Sequence, residues 1–400
     1  MFQHVSSAPP DPILGLTEAY QADGNPQKIN LAVGVYKDAQ GKTPVLASVK
    51  AAEARLVDIE KSKSYLPIDG SAEYGRHVRA LMLGADDPRL DDGRTSTAHT
   101  PGGTGALRVA ADYLHQNHPD ATVWISQPTW ANHPAIFDAA GVPTAGYPYF
   151  DAKANALDLR GLLAAIHGMK PGDVILLHGC CHNPTGVDPT PEQWKKIADA
   201  LAEAKVLPLI DFAYQGFGTS LEDDAAGLRE IAAKRSELLI CSSFSKNFGL
   251  YNERVGALTV VAATPSQTEA VASQIKVAVR RSYSNPPAHG AAVVSQILGD
   301  ADLRAQWEQE LAEMRRRINE MRSAFEAGLN ERSVSLAPDG NGFISQQNGM
   351  FTQSGLTSPQ VAKLRENHSI YIVGSGRINV AGMTPQNLPK LCDAIAEVVN

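Results

Sequence analysis

The chain has 400 residues, 43% of them hydrophobic, and a formal net charge of −7, which suits one large domain with a smaller partner, or two domains, and leaves room for a sizeable core. The acidic balance argues against a nucleic-acid surface but allows a local basic pocket for acidic substrates. No apolar run is of membrane-spanning length, the first dozen residues lack a basic segment followed by an apolar one, and four cysteines make no disulfide framework, so the expectation is a cytoplasmic protein with neither membrane nor nucleic-acid partner.

In chain order, Gly102-Gly103-Thr104-Gly105 opens a helical pattern over Ala106 to Leu114. Free backbone N–H groups at such a helix start favour an anion. A glycine-rich turn is by itself a weak signal, but no GxxxxGK[ST] or GxGxxG competes with it. Val123 to Ser126 and Val174 to Leu177 read as strands, and the second runs into His178-Gly179-Cys180-Cys181-His182-Asn183-Pro184-Thr185-Gly186. Zinc sites separate their ligand pairs, which this tight His/Cys cluster does not, so no metal is expected. Thr190 caps a helix over 190–204 with Pro191 in its first turn.

The apolar run Val206 to Ile210, read as a strand over 207–210, leads into Asp211-Phe212-Ala213-Tyr214-Gln215-Gly216-Phe217-Gly218. After a helix over 225–234, the strand Leu238 to Cys241 leads into Ser242-Ser243-Phe244-Ser245-Lys246-Asn247. A lysine there is costly to bury unless it is paired or chemically used. With hydroxyls beside it to hold an anion, this is the arrangement that tethers pyridoxal phosphate as a Schiff base. Taken singly, Lys246 also reads as a solvated loop residue, Asp211 as a cap and Asn183-Pro184 as a turn.

Beyond Pro286-Pro287, Leu303, Trp307, Leu311, Met314, Ile318, Met321, Phe325 and Leu329 form one apolar helical stripe. Arg315-Arg316-Arg317 on that helix reads as a solvated face. Residues 340–355 read as strands and turns, and 361–366 and 388–399 as helices. Alternating strands and helices predict a mostly parallel sheet covered on both faces, with ligands at the C-terminal ends of its strands, where the motifs fall.

SFSKNFGLYNERVG, HGCCHNPTGVDPT, DFAYQGFG, YSNPPAHGA and SGRINVAGMTP are long, specific and ordered. Through them the chain resembles the class I pyridoxal-phosphate aminotransferases of fold type I, and among these the aspartate and aromatic amino-acid aminotransferases, from about Pro12 to the C-terminus. The resemblance implies an α/β fold, with a large cofactor domain at 44–313, a smaller α/β domain from 12–43 and 314–400, and an N-terminal arm at 1–11. It also implies a homodimer that shares its active sites across the interface.

The same resemblance assigns roles. Lys246 carries pyridoxal 5'-phosphate covalently and moves the substrate proton. Asp211 faces the pyridine nitrogen, supported by His133 and His178. Asn183 and Tyr214 bond the ring oxygen, and Trp130 stacks on the ring. Gly103, Thr104, Ser243, Ser245 and Arg254 hold the phosphate, with Tyr65 reaching it from the other subunit. Arg377 grips the α-carboxylate, Arg280 meets a distal carboxylate across the interface, and Gly34 makes a backbone contact near the substrate. Lysine at its usual pKa of about 10.4 is a poor base at neutral pH, so the site must lower it.

The expected activity is amino transfer between aspartate or aromatic amino acids (tyrosine, phenylalanine) and 2-oxoglutarate. Val35, Lys37, Thr43, Thr104 and Asn285 resemble the aspartate branch, and Ser64 departs from both branches, so the preferred donor stays open. A lyase or decarboxylase on the same fold is the alternative, disfavoured by two arginine grips. A non-catalytic binding protein is the remote one, disfavoured by the retained Lys246, Asp211 and Arg377.

Overall fold

The computed structural model describes residues 2–9, 11 and 13–400, with Leu14 by its backbone only. The expected arm (1–11) and the start of the small domain (12–43) therefore include three positions, Met1, Pro10 and Pro12, that lie outside the described residues.

A seven-stranded sheet forms the centre. Its spatial order is Thr95–Pro101, Val255–Val261, Leu238–Ser243, Leu207–Phe212, Val174–His178, Val123–Gln127 and Thr144–Pro148. All strands run parallel except Val255–Val261, which is antiparallel to both neighbours. The predicted strands are thus present, each a little longer than its apolar run. The central ones are buried along their whole length, which is why they read as continuous apolar runs rather than alternating ones. Helices cover the sheet, among them Gly102–Asn117, Pro191–Ala204 and Leu221–Lys234. Thr190 and Gln193 close a reciprocal capping box at the second of these.

Register places the motifs. His178 pairs with Asp211, Asp211 with Cys241, and Gly256 with both Ser243 and Thr100. The chemically distinctive residues therefore share the C-terminal edge of the sheet.

The helix Ala301–Glu331 is capped by Asp300, which accepts from the N–H groups of Asp302 and Leu303. Its predicted apolar stripe is buried throughout, each large side chain contributing about 1.5–3 kcal/mol. The helix is continuous through residues 313 and 314, where the domain division was expected. Past it, Ile29–Asn30 pairs in parallel with Ile370–Tyr371, and Phe351–Gln353 pairs antiparallel with Arg377–Asn379. Helices Ser358–His368 and Leu388–Val399 complete this layer. The 340–355 stretch holds a helical turn, Phe343–Gln346, besides its strand.

One expectation needs correction. Arg315-Arg316-Arg317 is not a uniformly solvated face. Arg315 Nη1 donates to Gly216 O (2.8 Å), and Arg317 Nη2 donates to Met383 O (2.6 Å) and Asp38 O (3.1 Å). Of the three, only Arg316 is exposed. A 3.6-residue period turns adjacent side chains about a quarter-turn apart, so three consecutive arginines cannot share one face.

Candidate active site

A cavity of about 550 Å³ opens at the strand ends. Gly34, Gly103, Thr104, Trp130, His178, Asn183, Asp211, Tyr214, Ser243, Ser245, Lys246, Arg254 and Arg377 all line it. A larger cavity of about 730 Å³ lies beyond the 33–35 segment, bordered by Lys28, Lys37 and Gln40. It contains no buried acid–base pair, so the chemistry belongs to the smaller one.

Lys246 sits three residues beyond its strand, with Nζ 4.5 Å from the centroid of the Tyr214 ring. Burial pulls its ammonium down to about 8. The Asp211 charge works against this, while Arg254 and Arg377 add to it. Burial likewise raises the Tyr214 hydroxyl.

Asp211 lies within its strand rather than after it. His133, on the helix Asn132–Ala139, donates from Nε2 to Asp211 Oδ2 at 2.9 Å. Thr129 Oγ1 bonds His133 Nδ1 at 2.7 Å and lies 3.3 Å from His178 Nε2. Burial pushes the Asp211 carboxyl up, but the His133 hydrogen bond and nearby positive charge, that of Lys246 included, outweigh it and hold it below the usual range. Burial, with the charge of His133, pushes His178 down to about 3, so it stays neutral. The result is an anion fixed at one end of the cavity by a histidine chain. Trp130 packs edge-on to His133, with centroids 5.2 Å apart, and borders the same space.

At the other end is an anion cradle. The first turn of Gly102–Asn117 presents main-chain N–H groups with no side-chain cap. Arg254 Nη1 donates to Ser245 Oγ (3.1 Å), and Ser243 Oγ accepts from Ser245 N (3.4 Å). Gly102 has φ +71°, and a Cβ there would run into the Arg254 guanidinium, whose Cζ would be 2.9 Å away. Only glycine lets the arginine approach the helix start.

The third wall carries Arg377, which is 4% exposed. Its Nη1 donates to Asn183 Oδ1 (3.0 Å) and its Nη2 to Ala32 O (2.6 Å). The guanidinium lies 4.2 Å from the Phe351 ring centroid, and Nε is buried without an acceptor. With Oδ1 taken, Asn183 has its amide N–H pair to offer the cavity. Burial lowers Arg377 to about 10, so it remains a cation.

Tyr65 and Arg280 stand apart from this cavity. Tyr65 is 92% exposed. Arg280 lies in the last turn of Pro265–Ser282, also exposed, and donates to Ser284 Oγ. Phe351 and Tyr251 line the cavity without having been singled out in the sequence. Tyr251 lay inside a quoted motif; Phe351 gave no local signal, because its place depends on Gly34, where a Cβ would come within 2.6 Å of the ring.

The thiols of Cys180 and Cys181 have a third group beside them. Asp224, remote in sequence, brings an oxygen within 4.8 Å of both thiols. That carboxylate already accepts from the N–H groups of Gly216, Gly218 and Thr219. Burial raises both thiols, Cys181 to about 12, so they stay protonated.

The cavity thus brings together a buried amine, a fixed carboxylate, an anion cradle and a buried guanidinium. The model of the aminotransferase class I and II family matches residues 26–395. The chain is 53% identical to an aspartate aminotransferase of Escherichia coli over 399 residues, covering all of both chains. It is 47% identical to an aromatic-amino-acid aminotransferase of Pseudomonas aeruginosa, covering 99% of this chain and 98% of that one. Among solved structures it resembles an aromatic-amino-acid aminotransferase from Burkholderia pseudomallei covalently bound to pyridoxal phosphate, with TM-score 0.95, 47% identity and full coverage of both chains. It also resembles the cytoplasmic aspartate aminotransferase of Saccharomyces cerevisiae, with TM-score 0.96 and 38% identity over all of this chain and 98% of that one.

Proposed function

Since the chain belongs to the class I and II aminotransferase family, we propose that it moves amino groups between aspartate or aromatic amino acids and 2-oxoglutarate. It is an enzyme of fold type I, and its cofactor is pyridoxal 5'-phosphate. The observation that carries the reading is a buried amine of lowered pKa between a fixed carboxylate and an anion cradle, with the acceptor-less Nε of Arg377 beside them.

The residues fit this cofactor. Lys246 would hold it covalently, Asp211 would pair with its ring nitrogen, and Asn183 and Tyr214 would bond its ring oxygen. Trp130 would stack on the ring, while Gly103, Thr104, Ser243, Ser245 and Arg254 would hold its phosphate. When bound, pyridoxal phosphate supplies the carbon that accepts the amino group and a ring that withdraws electrons from the substrate Cα. The chain does the rest. Arg377 would grip the α-carboxylate and so orient the bonds at Cα. Lys246 Nζ, freed once the substrate amine has taken its place, would take the α-proton and give it back at the other end of the transfer. The Gly34 main chain would contact the substrate, and the apolar faces of Trp130 and Phe351 would keep water away.

With its amine brought down to about 8, cofactor-free protein should take up pyridoxal phosphate faster as pH rises from 6, levelling off just above 8. The neutral, nucleophilic fraction grows tenfold per pH unit below the pKa and saturates above it. Stopped-flow absorbance at a series of pH values measures this. A plateau reached only above pH 10 contradicts the lowered pKa.

Tyr65 and Arg280 are assigned to the neighbouring subunit's site in a homodimer. Their exposure, together with exposed Phe2, Val5, Val57 and Ile59, supports this. Two domains, 44–313 and 12–43 with 314–400, plus an arm at 1–11, and a cytoplasmic location, belong to the same reading. Arg280→Val should lower kcat/KM for aspartate by about 100-fold or more, because a carboxylate is left without its partner. For phenylalanine the change should stay within about fivefold, since no charge meets Arg280. A donor scan with 2-oxoglutarate measures both; equal losses remove Arg280 from the distal site.

A further inference from the structure

Arg322 lies in the middle of Ala301–Glu331 and is 1% exposed. No carboxylate among the described residues lies within ion-pair distance of it. Its Nη1 donates to Ile344 O (3.1 Å), and its Nη2 is within bonding distance of three more carbonyls, Asn348 (3.2 Å), Gly349 (2.7 Å) and Phe351 (2.6 Å). Its Nε is buried with no acceptor. Taking a guanidinium out of water without a counter-ion is expensive. One bonded wholly to main-chain oxygens fixes the course of the segment that carries them.

That segment is docked on the other side as well. Asn348 N donates to Gly186 O (2.6 Å), and Asn348 Nδ2 reaches Asp188 Oδ2 (3.3 Å), both in the loop that starts from Asn183. Gly349 has φ +75°, and a Cβ there would collide with Cys181. The segment ends at Phe351, whose ring underlies the Arg377 guanidinium, and the following Gln353 pairs with Arg377 across the strands.

We propose that Arg322 is a positioning residue for α-carboxylate recognition, gripping the Phe351 main chain so that the ring sets the plane of Arg377. The proposal rests on the amino-transfer reading for its substrates. It acts on one step alone: Arg377 binds every donor through the group all amino acids share, so loss of Arg322 weakens all carboxylates alike. No atom of the clasp touches Lys246 or Asp211; it reaches the cofactor side only through Arg377, which donates to Asn183.

The test uses holoenzyme of Arg322→Gln and Arg322→Lys, with exposed Arg316→Gln as the control. KM and kcat are measured for aspartate and phenylalanine. Equilibrium titrations follow the binding of maleate and of 3-phenylpropionate, which carry carboxylates but no amino group. In Arg322→Gln, both KM values and both dissociation constants should rise about 10–30-fold while kcat stays within about threefold. The pH titration of cofactor absorbance should move far less than the affinities fall, and Arg322→Lys should recover part of the affinity. A folded Arg322→Gln protein with KM and dissociation constants within twofold of wild type overturns the proposal. So does a fall in kcat with a shifted absorbance titration. Should Arg322→Gln not fold, Phe351→Leu removes the ring while keeping the clasp: the same weakening is expected, and unchanged analogue binding overturns the idea. If wild-type protein transfers no amino group, the functional reading fails, while the analogue titrations still decide the role of Arg322.

Discussion

Lys246→Ala should abolish turnover, with kcat falling by about 10⁴-fold or more, the scale set by losing an acid–base group together with a nucleophile. The expectation comes from the environment of the amine. At its ordinary pKa about one lysine in three thousand is neutral at pH 7; at about 8, roughly one in ten is. Burial therefore makes available a base that solution lysine is not. Lys246→Arg should be as inactive as the alanine variant, since a guanidinium is neither neutral nor nucleophilic in this range. Both variants should still bind pyridoxal phosphate through the cradle at Gly103, Ser245 and Arg254, but borohydride should fix none of it to the chain. Single-turnover assays with aspartate, read with absorbance spectra, measure this. Activity within tenfold of wild type would remove Lys246 from the reaction.

Asp211→Asn should come next in size. A carboxylate about 4 Å from a cationic ring nitrogen contributes about 4 kcal/mol at an effective dielectric of 20, or about 10³-fold in rate if the stabilisation is needed in the transition state. Asparagine keeps the shape and still accepts from His133 Nε2, so stability should change little while kcat falls by that factor. Asp211→Ala should lose as much activity and also destabilise the fold by about 1–3 kcal/mol, because His133 would hold a buried N–H with no acceptor. Kinetics and thermal melts of the two variants separate the electrostatic role from the structural one. An asparagine variant within tenfold of wild type would exclude the proposed pairing with the ring.

Four of the seven strands were legible as apolar runs, and the strand-end position of the motifs followed from a parallel topology; Thr95–Pro101 and Thr144–Pro148 are too polar or too broken to show that signal. The lysine and the phosphate-holding turn stood out because one lies just past a strand and the other opens a helix; the roles of the aspartate and the asparagine came with the family resemblance. Tyr65 and Arg280 could be named only through family resemblance, and in one chain they lie away from the cavity. Phe351 and Arg322 were not legible at all. Phe351 acts through a glycine more than 300 residues upstream, and Arg322 has the sequence context of any polar residue on a long amphipathic helix. Its neighbours Arg315 and Arg317 misled for a related reason. Charge suggests solvent, but main-chain carbonyls of a distant loop can serve a guanidinium as well as water can, and periodicity says nothing about where those carbonyls are.

The antiparallel return of Val255–Val261 between two strands that run the other way has a consequence for biosynthesis. It brings Val255 opposite Pro101, and with them the cradle at 102–104, 243–245 and 254 is closed. Every cofactor contact assigned within one chain lies between residues 103 and 254, whereas the α-carboxylate grip waits for Arg377. A ribosome that has extruded residue 261 has therefore released every cofactor contact that this chain gives to its own site, while the residue that is to clamp the amino acid is still to be made.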